Sequence, residues 1–118
     1  FDLPLNYMHK GCLILVSRTA ESGTCTLDAH IEFYAPGAGT WQDLEGAAFH
    51  TFADGETGDR YLMVYPGLVG SDADSHVELD TDEAALCGQY LPRQCRLAVA
   101  TGGTSVSNTF SAEGWLLP

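Results

Sequence analysis

Basic residues are scarce in this chain. Five Lys and Arg stand against sixteen Asp and Glu in 118 residues, a formal charge of −11 with histidines neutral. Such a surface repels phosphate backbones, which speaks against nucleic acid as a partner. Long apolar runs are also missing. Cys12 to Val16 (CLILV) is far short of the ~18–20 residues a membrane helix needs, and no signal-peptide pattern is present. Phe1, where an initiator Met would stand, is read as the mark of a leading segment removed or left out. No cysteine pair has C-x-x-C spacing, so zinc-ribbon and thioredoxin-like chemistry find no support. No G-x-S-x-G nucleophile elbow occurs. Thirteen glycines with so few basic residues argue against a helical bundle.

What remains suffices for one core. The chain is 45% apolar, and its length fits a single domain of roughly 100–150 residues. Its local pattern is that of strands. Residues 12–17 (CLILVS) read as a buried strand. Residues 24–34 alternate, with Cys25, Leu27, Ala29, Ile31 and Phe33 on one face and Thr26, Asp28, His30 and Glu32 on the other. Ser22-Gly23-Thr24 between them predicts a hairpin turn. Residues 60–65 and 95–100 are further strands, and 101–104 (TGGT) predicts a second tight hairpin into 105–112. A short strand is expected near 76–79. Acidic residues at the start and Gly88 at the end predict a short helix near 81–87. About seven or eight short strands with turns every ten residues or so predict an all-β, single-domain antiparallel β-sandwich, Ig-like or jelly-roll-like. The domain is expected over 12–118, preceded by an N-terminal arm, 1–11.

Four constellations bear on chemistry. The acidic loops, Asp54, Glu56 and Asp59 and then Asp72, Asp74, Asp80, Asp82 and Glu83, offer oxygen ligands for calcium but match no EF-hand; solvated turns and a helix N-terminus are the plainer account. His30 with Asp28 or Glu32 at i, i+2 on one strand face has the makings of a metal or acid–base pair, yet no third ligand is evident in the pattern. Ser71 to His76 places Ser, Asp and His close in sequence, which counts for little because triads assemble in space. Tyr34, Trp41, Tyr61, Tyr65, Tyr90 and Trp115 are enough rings for a sugar platform, though core and interface packing is the plainer account of them. The four cysteines, Cys12, Cys25, Cys87 and Cys95, allow three pairings, of which Cys87–Cys95 across a short loop is a possible disulfide; small buried apolar residues are the plainer alternative. No enzyme activity, cofactor or resident metal is expected.

Four segments taken in order, 22–33 (SGTCTLDAHIEF), 40–52 (TWQDLEGAAFHTF), 95–103 (CRLAVATGG) and 104–114 (TSVSNTFSAEG), resemble small β-sandwich proteins encoded by tailed phages and prophages in virion-structure gene clusters. The matching positions are Gly23, Thr24, Leu27, Asp28, Trp41, Gly46, Phe49, Arg96, Gly103, Thr104, Ser105, Thr109, Phe110 and Ser111. The chain departs from that pattern at Cys25 and Val106, where Pro is usual, and in the acidic stretch 71–95. The resemblance implies a non-enzymatic capsid decoration (cement) protein on the outer virion surface, with the major capsid protein as partner, no nucleic acid or membrane contact, and homo-oligomers, a trimer among them. The apolar ends are then the candidate partner-binding residues: Phe1, Leu3, Leu5, Tyr7, Trp115, Leu116 and Leu117. Alternatives are a phage tail component, a secreted lectin- or adhesin-like β-sandwich module, and an acidic inhibitor of a basic protein.

Overall fold

A computed structural model describes residues 9–68 and 84–118. Five strands follow one another: β1 (Gly11–Ala35), β2 (Thr40–Ala48), β3 (Gly58–Val64), β4 (Ala84–Cys87) and β5 (Cys95–Leu117). They form one mixed sheet curled into a half-barrel. The all-β expectation holds. The finer expectations need correction. Among the described residues there is one sheet rather than two, and five strands rather than seven or eight. β4 pairs with β3 in parallel, so the sheet is not purely antiparallel. Residues 84–87, expected to be helical, are this parallel strand. Leu86 and Cys87 extend the row of Met63 and Val64, and that tertiary pairing overrides the weak local helix signal. Residues 81–83, and the strand expected at 76–79, lie outside the described residues.

The main cause of the lower strand count lies at the two predicted hairpins. They are not turns. β1 is continuous for 25 residues and β5 for 23, and they pair antiparallel from Gly11↔Leu117 to Phe33↔Cys95. The Ser-Gly-Thr and Thr-Gly-Gly-Thr clusters face each other at the middle of this ribbon, as Ser22↔Ser107, Thr24↔Thr104 and Cys25↔Gly103. The register slips twice there, between Arg18 and Ala20 and between Ser22 and Thr24, so both strands bend together. Glycine is required at the bend. Gly103 has φ +113°, and a Cβ on it would fall 1.7 Å from the Thr24 carbonyl oxygen.

The bend divides β1 into two arms. The first, residues 11–18, pairs with β3 on the edge away from β5. The second pairs there with β2, and Leu27 exchanges backbone hydrogen bonds with Phe52. Folding one arm over the other brings their inner faces together in a single core: Cys12, Ile14 and Val16 from the first, Leu27, Ala29 and Ile31 from the second, closed by Phe49, Phe52, Leu62, Val64 and Leu97. The period-two pattern read at 24–34 is thus realised, with Cys25, Leu27, Ala29 and Ile31 buried and Phe33 half-buried. Each large apolar side chain sealed here contributes roughly 1.5–3 kcal/mol.

Arg18 is the one charged residue buried in this interior among the described residues. It sits at the first register slip and ties three pieces of chain together. Its Nη1 donates to the carbonyls of Ala53 and Glu56, both at 2.9 Å. Its Nη2 donates to the Cys25 carbonyl at 3.2 Å, and its Nε to Asn108 Oδ1 at 2.7 Å. The Glu21 carboxylate, 3.8 Å away, balances the charge.

All four cysteines are free and buried. The candidate Cys87–Cys95 bond is therefore not formed. Cys12, Cys87 and Cys95 pack as apolar core atoms, and Cys87 Sγ is turned to the Glu45 carbonyl at 3.4 Å. Burial pushes the Cys12 thiol up to about 12, helped by the nearby Cys95 and Cys87, and the Cys95 thiol up to about 11.

Candidate functional site

Two surfaces stand out. The first is the edge formed by β5. Among the described residues β5 pairs with β1 alone, and alternate residues turn their backbone donors and acceptors to its other side. Their direction follows from the ladder. Leu27 spends its N–H and C=O on Phe52, and Ala29 its C=O on Phe49, on the side away from β5. The residues opposite them, Thr101 and Val99, therefore point their own N–H groups outward. β5 contains no Pro or Lys and only two charges, Arg96 and Glu113, so it lacks the usual guards of an edge strand except the bend itself.

The inner face of β5 is also incompletely covered. Residues directly opposite in the ladder share a face. Phe110, Ala112 and Leu116 lie opposite Arg18, Val16 and Cys12, and so face inward with the core. Yet Phe110 is 40% exposed and Leu116 38%. With Leu97 and Val99 of the other arm, Phe110 and Ala112 line an open cleft of about 450 Å³. This is the mouth of the half-barrel. On the convex face the same end of β5 carries Trp115, 49% exposed, in a row with Leu13, Met63 and Leu86 that runs across four strands. Such a row is uncommon on a face meant only for water.

Trp115, Leu116 and Leu117, the candidate partner-binding residues of the apolar tail, are thus the last residues of β5, paired to Leu13, Cys12 and Gly11. Tyr65 donates to the Pro118 carbonyl at 2.9 Å and fixes the end. Phe1, Leu3, Leu5 and Tyr7 lie outside the described residues. So do residues 69–83, with the second acidic stretch and Ser71 to His76. Lys10 and Gly11, assigned to the arm, belong to the folded body: Lys10 donates to the Leu117 carbonyl and accepts from the Leu91 N–H.

The second surface is on the outer face of the arm of β1 that pairs with β2. His30 and Glu32 project there from β1, and Asp43 stands opposite Glu32 on β2. A large bulge follows at once. His30 pairs with Ala48 while Glu32 pairs with Asp43, so residues 44–47 loop out, with Gly46 at φ +80°. His30 Nε2 lies 3.1 Å from Asp43 Oδ1 and 3.5 Å from Glu32 Oε2. Arg96 Nε donates to Glu32 Oε1 at 2.7 Å, and its guanidinium lies 4.2 Å from the centre of the Trp41 ring. Tyr34 meets Trp41 edge to face. The Arg96 hydrogen bond holds the Glu32 carboxyl below its usual range, with a smaller contribution from His30.

Asp43 is the member that sequence reasoning missed, because no local spacing reports a partner reached through an irregular ladder. The other candidate constellations come apart. Asp54 Oδ1 accepts from the Cys25 N–H, Asp59 accepts from Ser17, and Glu56 pairs with Arg60. These three acids serve the loop that wraps Arg18. Of the six candidate platform rings, a ring contact joins Tyr34 and Trp41.

Among the described residues no helix is long and apolar enough to cross a membrane. Comparison of the chain with known protein families, with curated proteins and with solved structures finds no match.

Proposed function

We propose that this protein is a non-enzymatic assembly module, a capsid decoration protein that holds its neighbours by sheet extension along β5. The observation that carries the reading is the mouth of the half-barrel. Phe110 and Leu116 face the core yet stay exposed, beside a 23-residue strand that, among the described residues, pairs with β1 alone. An extended segment of a partner laid along β5 would satisfy the backbone groups of Val99 and Thr101 and cover Phe110 and Leu116 in one step. Main-chain pairing supplies affinity, and the apolar cleft supplies selectivity for alternate side chains. The choice of partner, an extended arm of the major capsid protein, rests on the sequence resemblance. The charge of −11 accords with a position on the outside of a shell packed with DNA.

The test is co-sedimentation of the purified protein with shells of the encoding phage that lack it. Two variants block the edge and leave the β1 side alone. Thr101→Pro removes an outward N–H, and Val99→Lys places a charge in the mouth. Each is expected to abolish co-sedimentation while far-ultraviolet circular dichroism is unchanged. Binding of both variants at the wild-type level refutes sheet extension, and failure of the wild type to bind any shell refutes the capsid partner.

A further inference from the structure

Apart from its role in assembly, we propose that His30, Glu32 and Asp43 form a binding site for a divalent transition-metal ion of the zinc class. The ligating atoms of the three side chains lie within 4.8 Å of one another. The two separations from His30 Nε2, 3.1 Å to Asp43 and 3.5 Å to Glu32, bracket the distance between ligands of a tetrahedral ion. Ligands about 2.0–2.1 Å from such an ion stand about 3.3 Å apart. Hydrogen bonding alone explains the cluster less well. One Nε2–H donates well to a single acceptor, yet two carboxylates converge on that nitrogen.

The surroundings fit a metal centre. Arg96 holds Glu32 Oε1 and leaves Oε2 aimed at the imidazole, and Trp41 fixes Arg96 in turn. Outer partners of this kind set the orientation of metal-binding carboxylates. The ligands are built on paired strands, and the bulge after Asp43 opens a cleft of about 450 Å³ beside them, lined also by Asp28, Glu45 and Thr51. A fourth position is thus open to water. Imidazole in the set favours zinc-class ions over calcium and magnesium, which prefer oxygen alone. Bound there, the ion would cross-link β1 to the edge strand β2 next to its bulge.

The experiment is calorimetric titration of the full chain, freed of metal by chelator and dialysis, with ZnCl₂, and separately with CaCl₂ and MgCl₂. One equivalent of Zn²⁺ is expected to bind, with no heat from the other two. Asp43 is 77% exposed, so Asp43→Asn leaves the fold intact and is expected to weaken Zn²⁺ at least tenfold. His30→Ala is expected to abolish one-equivalent binding. Arg96→Lys keeps the charge but alters the grip on Glu32, and a 10–100-fold loss is expected. Absence of saturable Zn²⁺ binding overturns the proposal. So does Zn²⁺ binding that survives unchanged in both His30→Ala and Asp43→Asn, or a preference for Ca²⁺. These outcomes are independent of shell binding.

Discussion

Replacing Arg18 by Met should bring this fold close to unfolding. The change keeps most of the side-chain volume and removes every donor. Ala53 and Glu56 lie on an exposed loop, so their carbonyls can turn to water. The buried Cys25 carbonyl has no such recourse, and a buried group left without its partner costs about 1–3 kcal/mol. The Glu21 carboxylate, mostly buried and 3.8 Å from the guanidinium, would then stand unpaired. Breaking a buried ion pair from one side costs about 3–5 kcal/mol. These effects overlap because they belong to one network, so the expected loss is about 4–5 kcal/mol, a large part of the ~5–15 kcal/mol that holds a domain together. Urea denaturation at pH 7, followed by fluorescence of Trp41 and Trp115 on the two arms, measures it. Arg18→Lys keeps the charge without the fork and should lose about half as much. Adding Glu21→Gln to Arg18→Met should restore part of the loss by removing the stranded charge. A loss below about 1 kcal/mol in Arg18→Met, or further destabilisation by Glu21→Gln, would refute the assignment of Arg18 as the tie at the bend.

Two more outcomes follow from the ribbon and the core. Gly103→Ala sets a Cβ 1.7 Å from the Thr24 oxygen at φ +113°, and a loss of about 3 kcal/mol or more in thermal or urea melts is expected; Gly37→Ala, with nothing within 4 Å, should change stability by less than about 0.5 kcal/mol. The buried thiols make stability fall in alkali. The folded state keeps Cys12 neutral to about 12 and Cys95 to about 11, against 9.0 for a free thiol, so their contribution is complete below pH 9 and is lost as pH rises through 11 and 12. Cys12→Ala should flatten that decline. Alkylation of guanidinium-unfolded protein without reductant should add four groups, as counted by mass; two would restore the Cys87–Cys95 bond.

Much of the fold was legible in the sequence wherever a strand has one wet face. The alternation from Cys25 to Ile31 predicted its buried side residue by residue, and residues 12–17, 60–64 and 95–100 are strands as expected. The misreadings share a physical origin. Glycine beside Ser and Thr marks any place where the chain must take an unusual φ, and a bend shared by two paired strands demands that as much as a reversal does. Only the pairing of Ser22 with Ser107 separates the two cases, and that is a long-range fact. Residues 84–87 were lost the same way, since their strand exists through β3. In the candidate metal site His30 and Glu32 were legible through their period of two, whereas Asp43 joins them across a ladder whose bulge no local pattern announces. Arg18 carries no signal either, because a basic residue next to a turn-like cluster looks like surface.

The bent ribbon has a consequence for how the chain reaches its native state. The two partners of its longest ladder lie at opposite ends of the described chain, separated by everything from Thr40 to Gln94. Closing so wide a loop comes before most of the pairing that rewards it, so folding should be slow for a protein of this size, on the millisecond-to-second scale of non-local β topologies. During translation β1 emerges first and waits for β5. Over that interval its row Cys12, Ile14, Val16 lies open to other nascent chains, which makes crowded expression, rather than heat, the condition under which aggregation should begin.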